Sequence, residues 1–148
     1  MIFYIDASAV VAVIGREAAS LSVDRLIRDP DSVVLVSDLV VAESSAALAR
    51  NGRVKSLPSP EMEQLFRELD VWALGAGEPV PIASADISDA DAFVRLPGMA
   101  LRAPDAIHIA AARRLDATLL TLDNGMARAA ALLGVPCINP AETSALKD

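Results

Sequence analysis

Short β-rich runs alternating with helical stretches predict an α/β fold for this chain, a three-layer α/β/α domain with a mainly parallel central sheet. Two observations carry that expectation. Each short apolar run is followed by a segment with helical spacing, and no repeat, low-complexity tract or linker divides the 148 residues. We therefore expect one domain over residues 1–148, a length that supports a sizeable core.

The elements follow in order. "IFYI" (Ile2 to Ile5) is a short strand, with a helix from about Ser8. "AASLSVDRLIRD" suits an amphipathic helix in which Leu21, Leu26 and Ile27 share a face. "SVVLVSD" reads as a buried strand closed by Ser37 and Asp38, either able to cap the next helix. That helix, "LVVAESSAALARNG", is expected to stop at Asn51-Gly52. "SPEMEQLFRELDVWAL" opens a helix at Pro60, and the prolines of "EPVPIA" favour a short edge strand. "SADISDADAFVRL" and "APDAIHIAAARRL" are two further helices. "ATLLTLD" is a strand, Asn124 to Leu133 a helix, and "VPCIN" closes the series.

Composition narrows the classes. Hydrophobic residues make up 53% of the chain, which argues for a globular protein rather than a disordered one. No apolar run reaches membrane-spanning length and no basic leader precedes the first strand, so a cytoplasmic protein without membrane contact is expected. Cys137 is the single cysteine, which excludes an internal disulfide and thiolate zinc clusters; it reads as a small core hydrophobe. The net charge of −7 repels polyanions at long range. Phosphate chemistry would then need a screening metal and locally placed arginines.

Four acids stand out. Asp6 and Asp123 follow strands, at the carboxyl ends where ligands of parallel sheets bind. Glu43 in "LVVAESSAAL" and Asp105 in "APDAIHIAAA" occupy unusually apolar helical surroundings. Each alone has a plain structural role, such as a helix cap or a turn. Together at one sheet end they would repel one another unless protonated or bridged by cations. Hard ions such as Mg²⁺ or Mn²⁺ prefer oxygen ligands and support phosphodiester hydrolysis, so the set points to a metal-dependent nuclease.

"YIDASAVVAVI", "SDLVVAESSAALAR", "APDAIHIAAARRL" and "TLLTLDNGMARAA" resemble the four acidic motifs of PIN-domain ribonucleases, with the VapC-type toxins of toxin–antitoxin pairs the nearest likeness. The resemblance spans nearly the whole chain. It implies that Asp6, Glu43, Asp105 and Asp123 form a catalytic and metal-binding quartet. Asp6 and Asp105 would bind Mg²⁺ or Mn²⁺ most directly, Asp123 next, and Glu43 through water or by orienting the nucleophile. Ser8, Ser37 and Thr121 fall where the family has supporting hydroxyls; Asn124 and Gly125 stand where some members carry a further acid. The implied partners are an RNA substrate, a second copy in a homodimer, and a small cognate antitoxin whose tail occludes the acidic groove.

Other residues are less specific. Arg16, Arg50, Arg102 and Arg128 lie near the acidic motifs and could bind RNA phosphates, though solvated helix surface explains each individually. His108, one turn beyond Asp105, could hydrogen-bond that acid or face the core; metal-free acid–base cleavage usually needs two proton-transfer groups, and the chain has one histidine. Phe3 and Tyr4 read as core, and Phe66, Trp72 and Phe93 as helix packing, leaving no base-stacking platform. The alternatives are a catalytically silent PIN-like binding module and, less favoured, a phosphoaspartyl protein. The latter needs a lysine near the phosphate, and Lys55 and Lys147 are poorly placed.

Overall fold

Five strands, β1 (Ile2–Ile5), β2 (Val33–Ser37), β3 (Glu78–Val80), β4 (Thr118–Leu120) and β5 (Cys137–Ile138), pair in the order β3-β2-β1-β4-β5, and every pairing is parallel. The computed structural model describes residues 1–145, so Lys147 lies outside the described residues. Among the described residues eight helices surround the sheet: α1 (Ala7–Ile14), α2 (Ser20–Ile27), α3 (Asp38–Val54), α4 (Ser59–Gly75), α5 (Ser84–Val94), α6 (Ala103–Arg114), α7 (Asn124–Leu132) and α8 (Pro140–Ala145). They pack as two groups, α1 to α4 with α8 and α5 to α7, which gives the three-layer arrangement. The chain steps from β1 outward to β3, then returns to the other side of β1. The gap between the carboxyl ends of β1 and β4 is therefore the topological switch point, where open parallel sheets bind ligands.

The core explains the strand positions. Phe3, Tyr4, Ile5, Leu119 and Leu120 are essentially inaccessible to solvent, as runs buried on both faces require. Pro79 lies on edge strand β3, where a missing N–H is tolerated.

Some boundaries differ from the sequence expectation. On α2 the buried residue is Val23, with Leu26 and Ile27 half-buried, whereas Leu21 is 70% exposed. Positions 23, 26 and 27 share the three- and four-residue spacing of one helical face, and 21 does not. Helix α3 runs through Asn51-Gly52 to Val54 and ends before Ser56, which takes a left-handed φ of 52°. Gly52 serves a different need from termination. A Cβ there would stand 2.0 Å from Met62 Sδ, so the missing side chain lets α4 approach. Ser37 rather than Asp38 caps α3, its Oγ accepting the Val40 N–H at 3.1 Å. Asp38 instead accepts the amides of Leu39 and Ile82. Helix α8 was not anticipated. Cys137 is half-buried on the last strand, and burial pushes its thiol up to about 11, so it stays protonated.

Candidate functional site

Parallel pairing sets the residues after β1 and β4 side by side. Ile5 lies in register with Leu120, and the Asp6 N–H donates to the Leu120 carbonyl at 3.1 Å. Asp6 thereby meets Thr121. Its side chain also caps α1, accepting the Ala9 N–H at 3.2 Å. Thr121 Oγ1 donates to Asp6 Oδ2 at 2.8 Å, and Ser8 Oγ donates to Oδ1 at 2.7 Å. The same hydroxyls accept the Asp123 and Leu122 amides, at 3.0 and 2.9 Å. Two small side chains thus join the ends of β1 and β4 around one carboxylate.

Asp6 is only 2% exposed. Burial raises its pKa, while the bonds from Ser8, Thr121 and Ala9 and the field of His108 pull the other way. The raised direction prevails, so the folded chain carries an electrostatic penalty at Asp6 that a bound cation would relieve.

The other three acids reach the same place from helix ends and faces. Asp123 caps α7, its Oδ1 accepting the Met126 N–H at 2.9 Å. Asp105 sits in the first turn of α6, and Glu43 lies on α3 about a turn past its start. All four line one groove of about 400 Å³, with Glu17, Arg50 and Arg102 beside them and Val11, Leu122 and Met126 among its apolar walls. Arg102 Nε and Nη2 donate to the Asp105 oxygens at 3.1 and 3.4 Å. Glu43 accepts a hydrogen bond from His108 Nε2.

Not every residue singled out in the sequence joins the groove. Ser8 and Thr121 support Asp6 directly, but Ser37 bonds Tyr4 and the Val40 amide instead, its Oγ lying 2.7 Å from Tyr4 Oη. The exposed Asn124 accepts a bond from Asn139 at 2.6 Å. Arg16 points toward Glu68 at 4.0 Å, and neither it nor Arg128 lines the groove. His108 is 1% exposed and bonds Glu43 rather than Asp105. Sequence reading did not pick out Glu17 as a groove residue, nor Tyr4 as a partner of His108. A strand residue's partners on distant helices leave no periodic signal.

The donors are all carboxylate oxygens, which suits a hard divalent ion and not a soft one. Among the described residues, however, no three acidic, histidine or cysteine side chains already form a metal cage. The cause is local: Arg102 holds Asp105, His108 holds Glu43, and Asp123 is turned to its helix. The donor chemistry fits a divalent ion, provided that Arg102 releases Asp105 and the partly exposed acids draw inward.

An all-parallel sheet flanked by two helical layers, with four carboxylates lining a groove at its switch point, defines an α/β protein of the open-sheet class. Within that class the chain belongs to the PIN domain family, whose pattern matches residues 3–132. The family is one of nucleases, hydrolases acting on nucleic acid. No protein of curated function matches the chain by sequence. Among solved structures, it is similar to VapBC2 from Rickettsia felis, bound to a DNA fragment from its promoter, with 17% identity and a TM-score of 0.70 over 93% of this chain and 98% of that one. Mycobacterium tuberculosis VapC20, a sarcin–ricin loop cleaving toxin, shares 18% identity and a TM-score of 0.69 over 86% and 94%. FitAcB from Neisseria gonorrhoeae shares 22% and 0.68 over 95% and 99%. At these identities the likeness establishes the fold.

Proposed function

We propose that this chain is a ribonuclease dependent on Mg²⁺ or Mn²⁺ and the toxin of a toxin–antitoxin pair. The observation that carries the reading is the meeting of Asp6, Glu43, Asp105 and Asp123 in one groove at the switch point. When bound, a divalent ion would supply Lewis-acid activation of the phosphodiester and of the attacking water. Asp6, Asp105 and Asp123 would hold the ion, with Asp6 fixed by its three donors. Glu43 would meet the ion through a bound water and orient the water that attacks phosphorus. Arg102, once it leaves Asp105, and Arg50 bind phosphate oxygens along the groove. Val11, Leu122 and Met126 limit access of bulk water.

The VapBC2 and FitAcB complexes support a small antitoxin as partner, and the VapC20 likeness supports an RNA substrate. A homodimer fits the exposed apolar side chains of α4, with Val71 at 71% and Leu74 at 88% exposure. No described helix is long and apolar enough to cross a membrane; we place the protein in the cytoplasm, where its substrate would be.

The test is Mn²⁺ titration by calorimetry followed by RNA digestion with and without EDTA. The expected result is cation binding and EDTA-sensitive cleavage, both abolished in Asp6→Asn and Asp105→Asn with circular dichroism unchanged. Full activity in either variant, with contaminating nuclease excluded, sinks the assignment. The competing silent binding module has one observation in its favour, the Arg102–Asp105 ion pair that already neutralises an acid. It would show neither cation binding nor cleavage. Co-purification with a small neighbouring-gene product tests the partner.

A further inference from the structure

An unbroken line of hydrogen bonds runs from the core to the groove. Ser37 Oγ lies 2.7 Å from Tyr4 Oη, Tyr4 Oη 3.0 Å from His108 Nδ1, and His108 Nε2 bonds Glu43. Ser37, Tyr4 and His108 are buried almost completely, while the Glu43 side chain is 31% exposed toward the groove. This line of bonds links β2, β1, α6 and α3.

One set of proton positions uses every donor in this line with the imidazole neutral. Ser37 Oγ accepts the Val40 N–H, which leaves its own proton to give to Tyr4 Oη. A phenol keeps its proton at neutral pH, and with Ser37 donating to it Tyr4 Oη directs that proton to His108 Nδ1, 3.0 Å away. Nδ1 is then an acceptor, and the ring carries its hydrogen on Nε2, facing the Glu43 carboxylate. The opposite tautomer would set a nitrogen lone pair against that carboxylate and leave the Ser37 proton without a partner in this line.

We propose that Tyr4 and His108 are positioning residues for Glu43: Tyr4 selects the tautomer of His108, and His108 holds the Glu43 carboxylate in the groove. The inference rests on the cation-dependent reading above. A glutamate on a helix face otherwise samples several rotamers, and ordering it on ligand binding opposes that binding. A buried imidazole that has already ordered it removes this burden. Among the described residues His108 is the hydrogen-bonding partner of Glu43. Loss of such supporting partners at metal sites lowers affinity or activity by about 10- to 100-fold.

Because the chain has one histidine, its ring nitrogens give a single set of signals in ¹H–¹⁵N correlation spectra. The metal-free protein is expected to show a proton on Nε2 and none on Nδ1. Tyr4→Phe, which keeps the aromatic packing, should mix the tautomers. In Mn²⁺ calorimetry, His108→Leu should lose about 10- to 100-fold in affinity. His108→Gln, whose amide can still donate to Glu43, should recover most of it. In a Glu43→Ala background, His108→Leu should add no further loss. A ring protonated on Nδ1, or an unchanged spectrum in Tyr4→Phe, overturns the inference even if His108→Leu does not fold. Equal losses with and without Glu43 overturn it too, because His108 would then be acting elsewhere. A wild-type protein that binds no Mn²⁺ overturns the nuclease reading, whereas the ring tautomer still decides whether Tyr4 and His108 hold Glu43.

Discussion

Asp6 shows how a buried carboxylate is tolerated at one position. Two hydroxyls and an amide donate to it, yet burial still raises its pKa. Its sign in stability follows from linkage. A carboxyl whose folded pKa exceeds its unfolded one favours the folded state fully below the ordinary aspartate range, and that contribution is lost as pH rises through the folded value. Metal-free protein is therefore expected to lose stability across that window, and Asp6→Asn is expected not to. Chemical denaturation at a series of pH values, in chelator, measures both. Thr121→Val removes a donor from Asp6 and an acceptor from the Asp123 amide, and should cost about 2–4 kcal/mol in the same buffer. A loss below about 0.5 kcal/mol would show that the hydroxyl is not needed. At this scale the sequence was partly readable. Acids after strands, and hydroxyls two residues away from them, are visible as spacing. The pairing of Tyr4 with His108 spans 104 positions and is not.

At the scale of elements, close approach and a buried ion pair fix the edges of the layers. A Cβ on Gly77 would lie 2.5 Å from the Val34 carbonyl oxygen, so the chain entering β3 passes directly against β2. Backbone cannot swing aside as Met62 can at Gly52. Gly77→Ala should destabilise by about 1–3 kcal/mol, read as a lower denaturant midpoint. Asp86 binds α5 to α6: both of its oxygens accept from Arg114, which also donates to the Pro81 carbonyl near the end of β3. Burial alone would raise the Asp86 pKa, but the bonds from Arg114 and Ala83 outweigh it and the net shift is downward. A depressed carboxyl contributes stability above its unfolded pKa and loses it as pH falls through the folded one. Asp86→Asn should thus be destabilised by about 2–4 kcal/mol at neutral pH. The deficit should shrink in melts below the ordinary carboxylate range. "SADISDADAFV" presents several acids of equal appearance, and nothing in that string marks Asp86 as the buried one.

For the whole molecule, the proposed cation binding would share one balance with folding. If Mn²⁺ binds only the folded state, a concentration about 100 times its dissociation constant should raise the unfolding free energy by about 2.7 kcal/mol. Thermal melts should show that gain in wild type and not in Asp6→Asn. The net charge of −7 also predicts how the proposed RNA substrate would be held. With Arg50 and Arg102 as the arginines of the groove, few counterions are released. A plot of log affinity against log salt should slope by only about −1 to −2. A much steeper slope would reveal a basic surface elsewhere.

Local signals determined the class of fold, the succession of elements as far as β5 and the choice of four acids, because alternating apolar runs and charges in apolar settings are properties of neighbouring residues. Strand order placed Asp6 beside Thr121 and opened the groove at the switch point, since pairing in a parallel sheet joins residues far apart in the chain. The same packing decided that His108 serves Glu43 rather than Asp105, that Arg102 holds Asp105, and that Gly52 admits a neighbouring helix instead of ending its own. Hydrogen bonds and contacts between elements depend on where backbones cross. That crossing is settled by the joint burial of the whole core, not by any single stretch.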